Sequence, residues 1–111
     1  MLNCPVTATM NVIGGKWKIL VLYMICNGIN RFGKMGMMLR NVSKQMLTSQ
    51  LRELEADGII ERKIYPEIPP RVEYSLTEKG KSLIPLIETM ANWGNEHILK
   101  VSRETPVLVQ V

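Results

Sequence analysis

Apolar residues recur every three or four positions along most of the chain, and glycines and prolines cut that pattern into segments. Cys4-Pro5 opens the first segment, because proline fits the first helical position, where its missing N–H has no partner anyway. Thr7 to Ile13 then make a short helix that Gly14-Gly15 ends. In Lys16–Asn27 (KWKILVLYMICN), Trp17, Leu20, Val21, Met24 and Ile25 fall at helical spacing, and most other positions are apolar too. A helix apolar nearly all round is a central core helix. Cys26 is expected there as a small core residue, and Gly28 ends the segment. Arg31-Phe32 reads as a short extended piece, with Phe32 plugging the core between helices. Gly33 to Leu39 makes a third short helix, in which Gly36 costs about 1 kcal/mol relative to alanine.

Ser43 to Asp57 carries the clearest helical pattern. Ser43 is a good N-cap, Met46, Leu47, Leu51 and Leu54 share one face, and Gly58 is the stop. Lys44, Gln45, Thr48, Ser49 and Arg52 point elsewhere. Ile59–Tyr65 is extended and rich in β-branched residues, and Arg71–Leu76 alternates again. Pro66, Pro69 and Pro70 remove three backbone donors between them, so the two strands form a hairpin with a stiff loop. Thr77 caps a long helix from Glu78 to about Leu99, which Pro85 should kink. Val107–Val111 is a short apolar tail without an assigned place.

The order of elements is helix, helix, short strand, helix, helix, strand, loop, strand, long helix. Two helices joined by a tight turn and followed by a hairpin match a winged helix-turn-helix: mainly α, with a small β-hairpin wing. At 111 residues the chain is one domain, 1–111, with its core at about 4–99 and a tail at 100–111. That length buries a real core without staples. No apolar run is long enough to span a membrane and no charged signal-peptide start is present, so a cytoplasmic protein without membrane contact is expected. Two cysteines, Cys4 and Cys26, and one histidine, His97, leave neither a disulfide scaffold nor a metal site, and no cofactor is implied. The net charge of +4 sits unevenly: +2 over residues 1–30, +3 over 31–65 and −1 over 66–111. The basic excess thus covers the helical pair and the start of the hairpin, where an anionic partner would bind.

CPV at 4–6, GGKWK at 14–18, RF at 31–32, MLTSQLRELEADG at 46–58, YPEIPPRVEYSLTEKG at 65–80 and WG at 93–94 resemble the HxlR-type transcriptional regulators, small relatives of the MarR-like winged-helix regulators. The resemblance covers about 4–97, in order and spacing. It departs at Met35, Gly36, Met37 and Met38, where the family usually has polar and charged positions. The resemblance implies a homodimer on an inverted-repeat operator, with the first and last helices forming the dimer interface. Pro5, Val6, Ile87, Met90 and Trp93 are the interface candidates on those helices.

The helix that opens at Ser43 is the expected reader of double-stranded DNA. Ser43 at its start belongs to the DNA-binding set, its N-terminal half carries Lys44, Gln45, Thr48 and Ser49, which can reach base edges in a major groove, and Arg52 lies one turn further, at phosphate distance. Lys63 and Arg71 on the hairpin suit a phosphate or the minor groove, although Glu67 in the same loop opposes them. Cys4 sits at the cap of the first helix, where the dipole favours thiolate. The resemblance implies a redox-sensing role for it, since some family members with a cysteine in the CPV position sense oxidants or electrophiles. A small-molecule or electrophile effector is therefore a candidate partner. The competing reading is a winged-helix protein–protein interaction module without sequence-specific DNA binding. The basic Lys44–Arg52 face favours DNA over it. No paired carboxylates, nucleophile–base pair or phosphate-binding glycine loop marks an enzyme.

Overall fold

The computed structural model describes residues 3–100. Helix α1 spans Pro5–Ile13, with Pro5 in its first turn as expected. The Gly14 N–H closes it on the Met10 carbonyl at 2.7 Å, and a Cβ at Gly14 would collide with that carbonyl. Helix α2, Trp17–Cys26, is the central helix: Val21, Leu22 and Met24 are fully buried. Cys26 departs from its expected core place and is exposed. It is the last residue of α2, and Asn27 and Gly28 after it are exposed as well, so burial ends with the final turn.

Arg31 forms an isolated antiparallel bridge with Glu73, the short extended piece the pattern called for. Phe32 begins α3, Phe32–Met38, and lies half-buried against the core rather than inside it. Met35 anchors α3 with no exposed surface. Helix α4 spans Lys44–Ala56, and the Ser43 hydroxyl accepts the Met46 N–H at 3.0 Å, as an N-cap should. Leu47, Leu51 and Leu54 form its buried stripe. Met46, grouped with them by sequence, is 44% exposed and accepts a hydrogen bond from Gln50 Nε2 at 3.6 Å. Positions 47, 51 and 54 complete one face by themselves, and 46 falls a helical step of roughly 100° away.

Strands β1, Ile60–Tyr65, and β2, Arg71–Leu76, pair antiparallel from Ile60↔Leu76 to Tyr65↔Arg71. The Tyr74 N–H donates to the Asn30 carbonyl at 2.9 Å, which ties the hairpin to the segment before α3. The core lies where α2 packs on α4, β2 and the C-terminal helix, with α4 also resting on β1.

The expected single C-terminal helix is three pieces: α5 at Glu78–Lys81, α6 at Ile84–Gly94 and a π-helical turn at Asn95–Leu99. Pro85 does not kink a continuous helix. It occupies the first turn of α6, where it has no donor to lose. Thr77 fastens this end to α4. Its hydroxyl donates to the Gly58 carbonyl at 2.6 Å, its N–H donates to the Ile59 carbonyl at 3.1 Å, and Oγ1 accepts the Gly80 N–H at 3.0 Å. Gly80 is packed so closely on the Ile59 carbonyl that a Cβ would overlap the oxygen. The apolar tail expected at 107–111 lies outside the described residues. Among the described residues no helix is long and apolar enough to cross a membrane.

Candidate nucleic-acid interface

The buried stripe of α4 fixes which side faces out. Lys44, Gln45, Ser49 and Arg52 are exposed and Thr48 is half-buried. Together with Glu53 and Ala56 they line a shallow, open trough along the helix. Lys44 and Arg52 make no ion pair among the described residues. The hydroxyls are partly committed. Ser43 caps α4, Thr48 Oγ1 donates to the Lys44 carbonyl at 2.8 Å, and Ser49 Oγ donates to Glu53 Oε2 at 3.3 Å. Thr48 therefore offers lone pairs and a methyl group to an incoming ligand, not its proton.

Lys18 was invisible as part of this site. It lies on α2, its side chain almost wholly buried, and its Nζ donates to Glu53 Oε1 at 2.8 Å. That hydrogen bond, then the Lys18 charge, and last the Ser49 hydroxyl hold the Glu53 carboxyl below the ordinary glutamate range. The one available signal was a lysine inside an otherwise apolar helix, which reads as a solvent-facing position until α4 is laid against it.

The wing differs from its expected form. Lys63 is exposed, with Nζ 4.9 Å from the centre of the Tyr65 ring. Arg71, expected to meet a phosphate or the minor groove, is already engaged by two carboxylates and a ring. Its guanidinium pairs with Glu67 Oε2 at 2.9 Å and Glu73 Oε2 at 3.1 Å and stacks 3.8 Å above the Tyr65 ring. Its Nε is buried without a hydrogen bond. Glu73 also takes Arg31 at 3.3 Å, and Arg62 reaches Glu55 of α4 at 3.8 Å. Arg71 is thus first a clamp across the base of the proline loop, with its charge balanced locally.

The interface candidates divide. Pro5, Val6, Met90 and Trp93 are exposed, Trp93 by 58% with its ring 5.1 Å from that of His97. Ile87 is corrected: it is 4% exposed and belongs to the protomer's own core, so it offers no surface to a second copy. The exposed apolar side chains of α1 and α6 are instead Val6, Met10, Leu86, Met90 and Trp93.

Cys4 stands at the N-cap of α1 and is half-buried. It makes no capping hydrogen bond, but the Thr7 hydroxyl first, then the N–H groups of Thr7 and Val6, favour its thiolate and lower its pKa. At Cys26, partial desolvation and then the Glu88 carboxylate push the thiol up. The two thiols are shifted in opposite directions.

A short capped helix with a polar and cationic outer face, followed by a clamped hairpin, defines a winged helix-turn-helix transcriptional regulator. Residues 12–102 match the HxlR-like helix-turn-helix family, and the chain belongs to that family. It is 48% identical over 95 residues to YdeP of Bacillus subtilis (strain 168), an uncharacterized HTH-type transcriptional regulator, covering 86% of this chain and 74% of YdeP. Among solved structures it is similar to the redox regulator HypR in its oxidized form, with 47% identity and a TM-score of 0.80, over 85% of this chain and 97% of HypR. It is also similar to the reduced form of the transcriptional regulator YodB from B. subtilis, with 31% identity and a TM-score of 0.70, over 89% of this chain and 98% of YodB. All three of these relatives are regulators.

Proposed function

We propose that this protein is a cytoplasmic homodimer that regulates transcription by binding an inverted-repeat DNA operator, with one winged helix-turn-helix domain per subunit and no enzymatic activity. The observation that carries this reading is the outer face of α4, where Lys44 and Arg52, which make no ion pair among the described residues, lie beside Gln45, Thr48 and Ser49. A major groove accepts one helix, and these side chains have the length and polarity to meet base edges and phosphates. The exposed apolar residues of α1 and α6 are the surface on which two copies pair, which sets the two α4 helices one DNA turn apart, about 34 Å. The test is selection of duplexes from a random library by the purified chain. Recovery of an inverted repeat bound by a dimer is expected. Recovery of no preferred sequence refutes the reading and favours a protein-binding winged helix.

The dimer responds to oxidants through Cys4. Its lowered thiol pKa and its place at the cap of α1 support this, as does similarity to HypR, a redox regulator, and to YodB, which has also been solved after diamide treatment. Two Cys4 thiols, one per subunit, lose two protons and two electrons to diamide and form one disulfide, while diamide becomes the hydrazine. Operator binding by the native chain should change on oxidation and that of Cys4→Ser should not. Equal behaviour of the two proteins removes Cys4 from the mechanism.

A further inference from the structure

We propose that Lys18 is a positioning residue for operator recognition: from inside α2 it anchors Glu53, and through Glu53 it fixes the Ser49 hydroxyl on the base-reading face of α4. The inference rests on the reading of α4 as the groove-entering helix. Lys18 is the only cation buried among the described residues, at 7% exposure. A buried ammonium needs a partner, and it has one in Glu53 Oε1 at 2.8 Å. Such pairs are generally no more stabilising than an apolar residue of the same volume, so stability alone does not account for the lysine.

What the pair does is set the direction of a hydrogen bond. With one oxygen held by Lys18, the other Glu53 oxygen accepts the proton of Ser49 at 3.3 Å. Ser49 then faces the trough as an acceptor. An acceptor meets the amino group of adenine or cytosine in a major groove and finds no partner in the carbonyl edge of guanine or thymine. Lys18 also neutralises a carboxylate that lines a DNA-facing trough, where an uncompensated charge would repel phosphates. Loss of Lys18 frees Glu53 to swing and Ser49 to donate, so selectivity at one base position collapses.

The experiment uses the full chain and the duplex that it selects from a random library, with all four bases placed in turn at each position. Lys18→Met should melt at or above the wild-type temperature. It should bind the selected duplex on the order of tenfold more weakly and lose its preference for adenine or cytosine at one position. Ser49→Ala should lose preference at the same position, and adding Lys18→Met to it should weaken binding to all duplexes alike without changing that preference further. Wild-type discrimination by folded Lys18→Met, or losses of base preference that add in the double variant, overturns the proposal. If Lys18→Met does not fold, Glu53→Gln decides. Its amide oxygen still accepts from Lys18 while its NH2 donates to Ser49, which turns the hydroxyl into a donor and moves the preference towards guanine or thymine. An unchanged preference overturns the proposal. Lys44→Ala and Arg52→Ala report on α4 separately: if both bind the duplex as the wild type does, it is the groove reading itself that fails.

Discussion

Arg52→Ala and Arg71→Ala remove the same charge from two places, and their salt dependence should differ sharply. Arg52, Lys44 and Lys63 carry no carboxylate partner among the described residues, whereas Arg71 is paired with Glu67 and Glu73 and stacked on Tyr65. Each phosphate neutralised contributes about 0.9 to the slope of log K against log salt, because condensed counterions are released. If these three cations of each subunit meet phosphates, a dimer has a slope of about −5.4, and Arg52→Ala, which removes two contacts per dimer, lowers it to about −3.6. Between 50 and 200 mM salt the wild type should lose affinity roughly tenfold more than Arg52→Ala does. Arg71→Ala should leave the slope near the wild-type value of about −5.4, since a guanidinium that already satisfies two carboxylates contributes little counterion release. Its loss should appear instead as a lower melting temperature and a looser wing. Fluorescence anisotropy of a labelled operator duplex, titrated at five salt concentrations, measures all three slopes. Equal flattening by the two variants, or no flattening by Arg52→Ala, would refute the assignment of free and clamped cations.

Ile87→Ala opens a cavity in the protomer core and should cost about 2–5 kcal/mol in chemical denaturation, whereas Trp93→Ala should chiefly weaken self-association, seen as a higher dimer dissociation constant by sedimentation. Gly80→Ala forces a methyl group onto the Ile59 carbonyl and should destabilise by about 1–3 kcal/mol, with a drop in the urea midpoint. Alkylation by iodoacetamide should follow the two thiol shifts: the rate at Cys4 rises through a midpoint below the ordinary cysteine value and that at Cys26 through one above it, so peptide mapping near neutral pH finds Cys4 labelled first. The Glu53 carboxyl is lowered in the folded state, so its stabilisation is complete above the ordinary glutamate range and is lost as pH falls through the folded value. The wild type and Glu53→Gln should therefore differ in urea midpoint at neutral pH and converge in acid.

The fold was legible because its signals are local. Ser43 before a stripe at 47, 51 and 54, glycine after Asp57, and three prolines between two alternating runs each act within a few residues of themselves. The exposed face of α4 followed from that stripe by subtraction. What stayed hidden depends on pairings across the chain. Lys18 and Glu53 meet only when α2 lies on α4, and Arg71 is clamped only when the hairpin closes. Ile87 shares an amphipathic helix with Trp93, and nothing along the sequence says which of its sides meets the core. The break before Pro85 was masked because a proline one turn into a helix and a proline opening a new one leave the same trace.

The two-stranded sheet has one shielded margin and one open one. On the β2 side, Asn30 and Arg31 occupy the backbone, while β1 has no neighbour beyond β2 among the described residues. A protein that exposes both an apolar face and a vacant strand margin could add copies without end, one contact by side chains and the next by backbone. Here the vacant margin carries Glu61, Arg62 and Lys63 in succession and runs into a loop with three prolines, none of which can donate to an incoming strand. Growth by strand addition is thereby blocked by charge at one end and by missing donors at the other. In the proposed dimer, association would then stop at a closed pair.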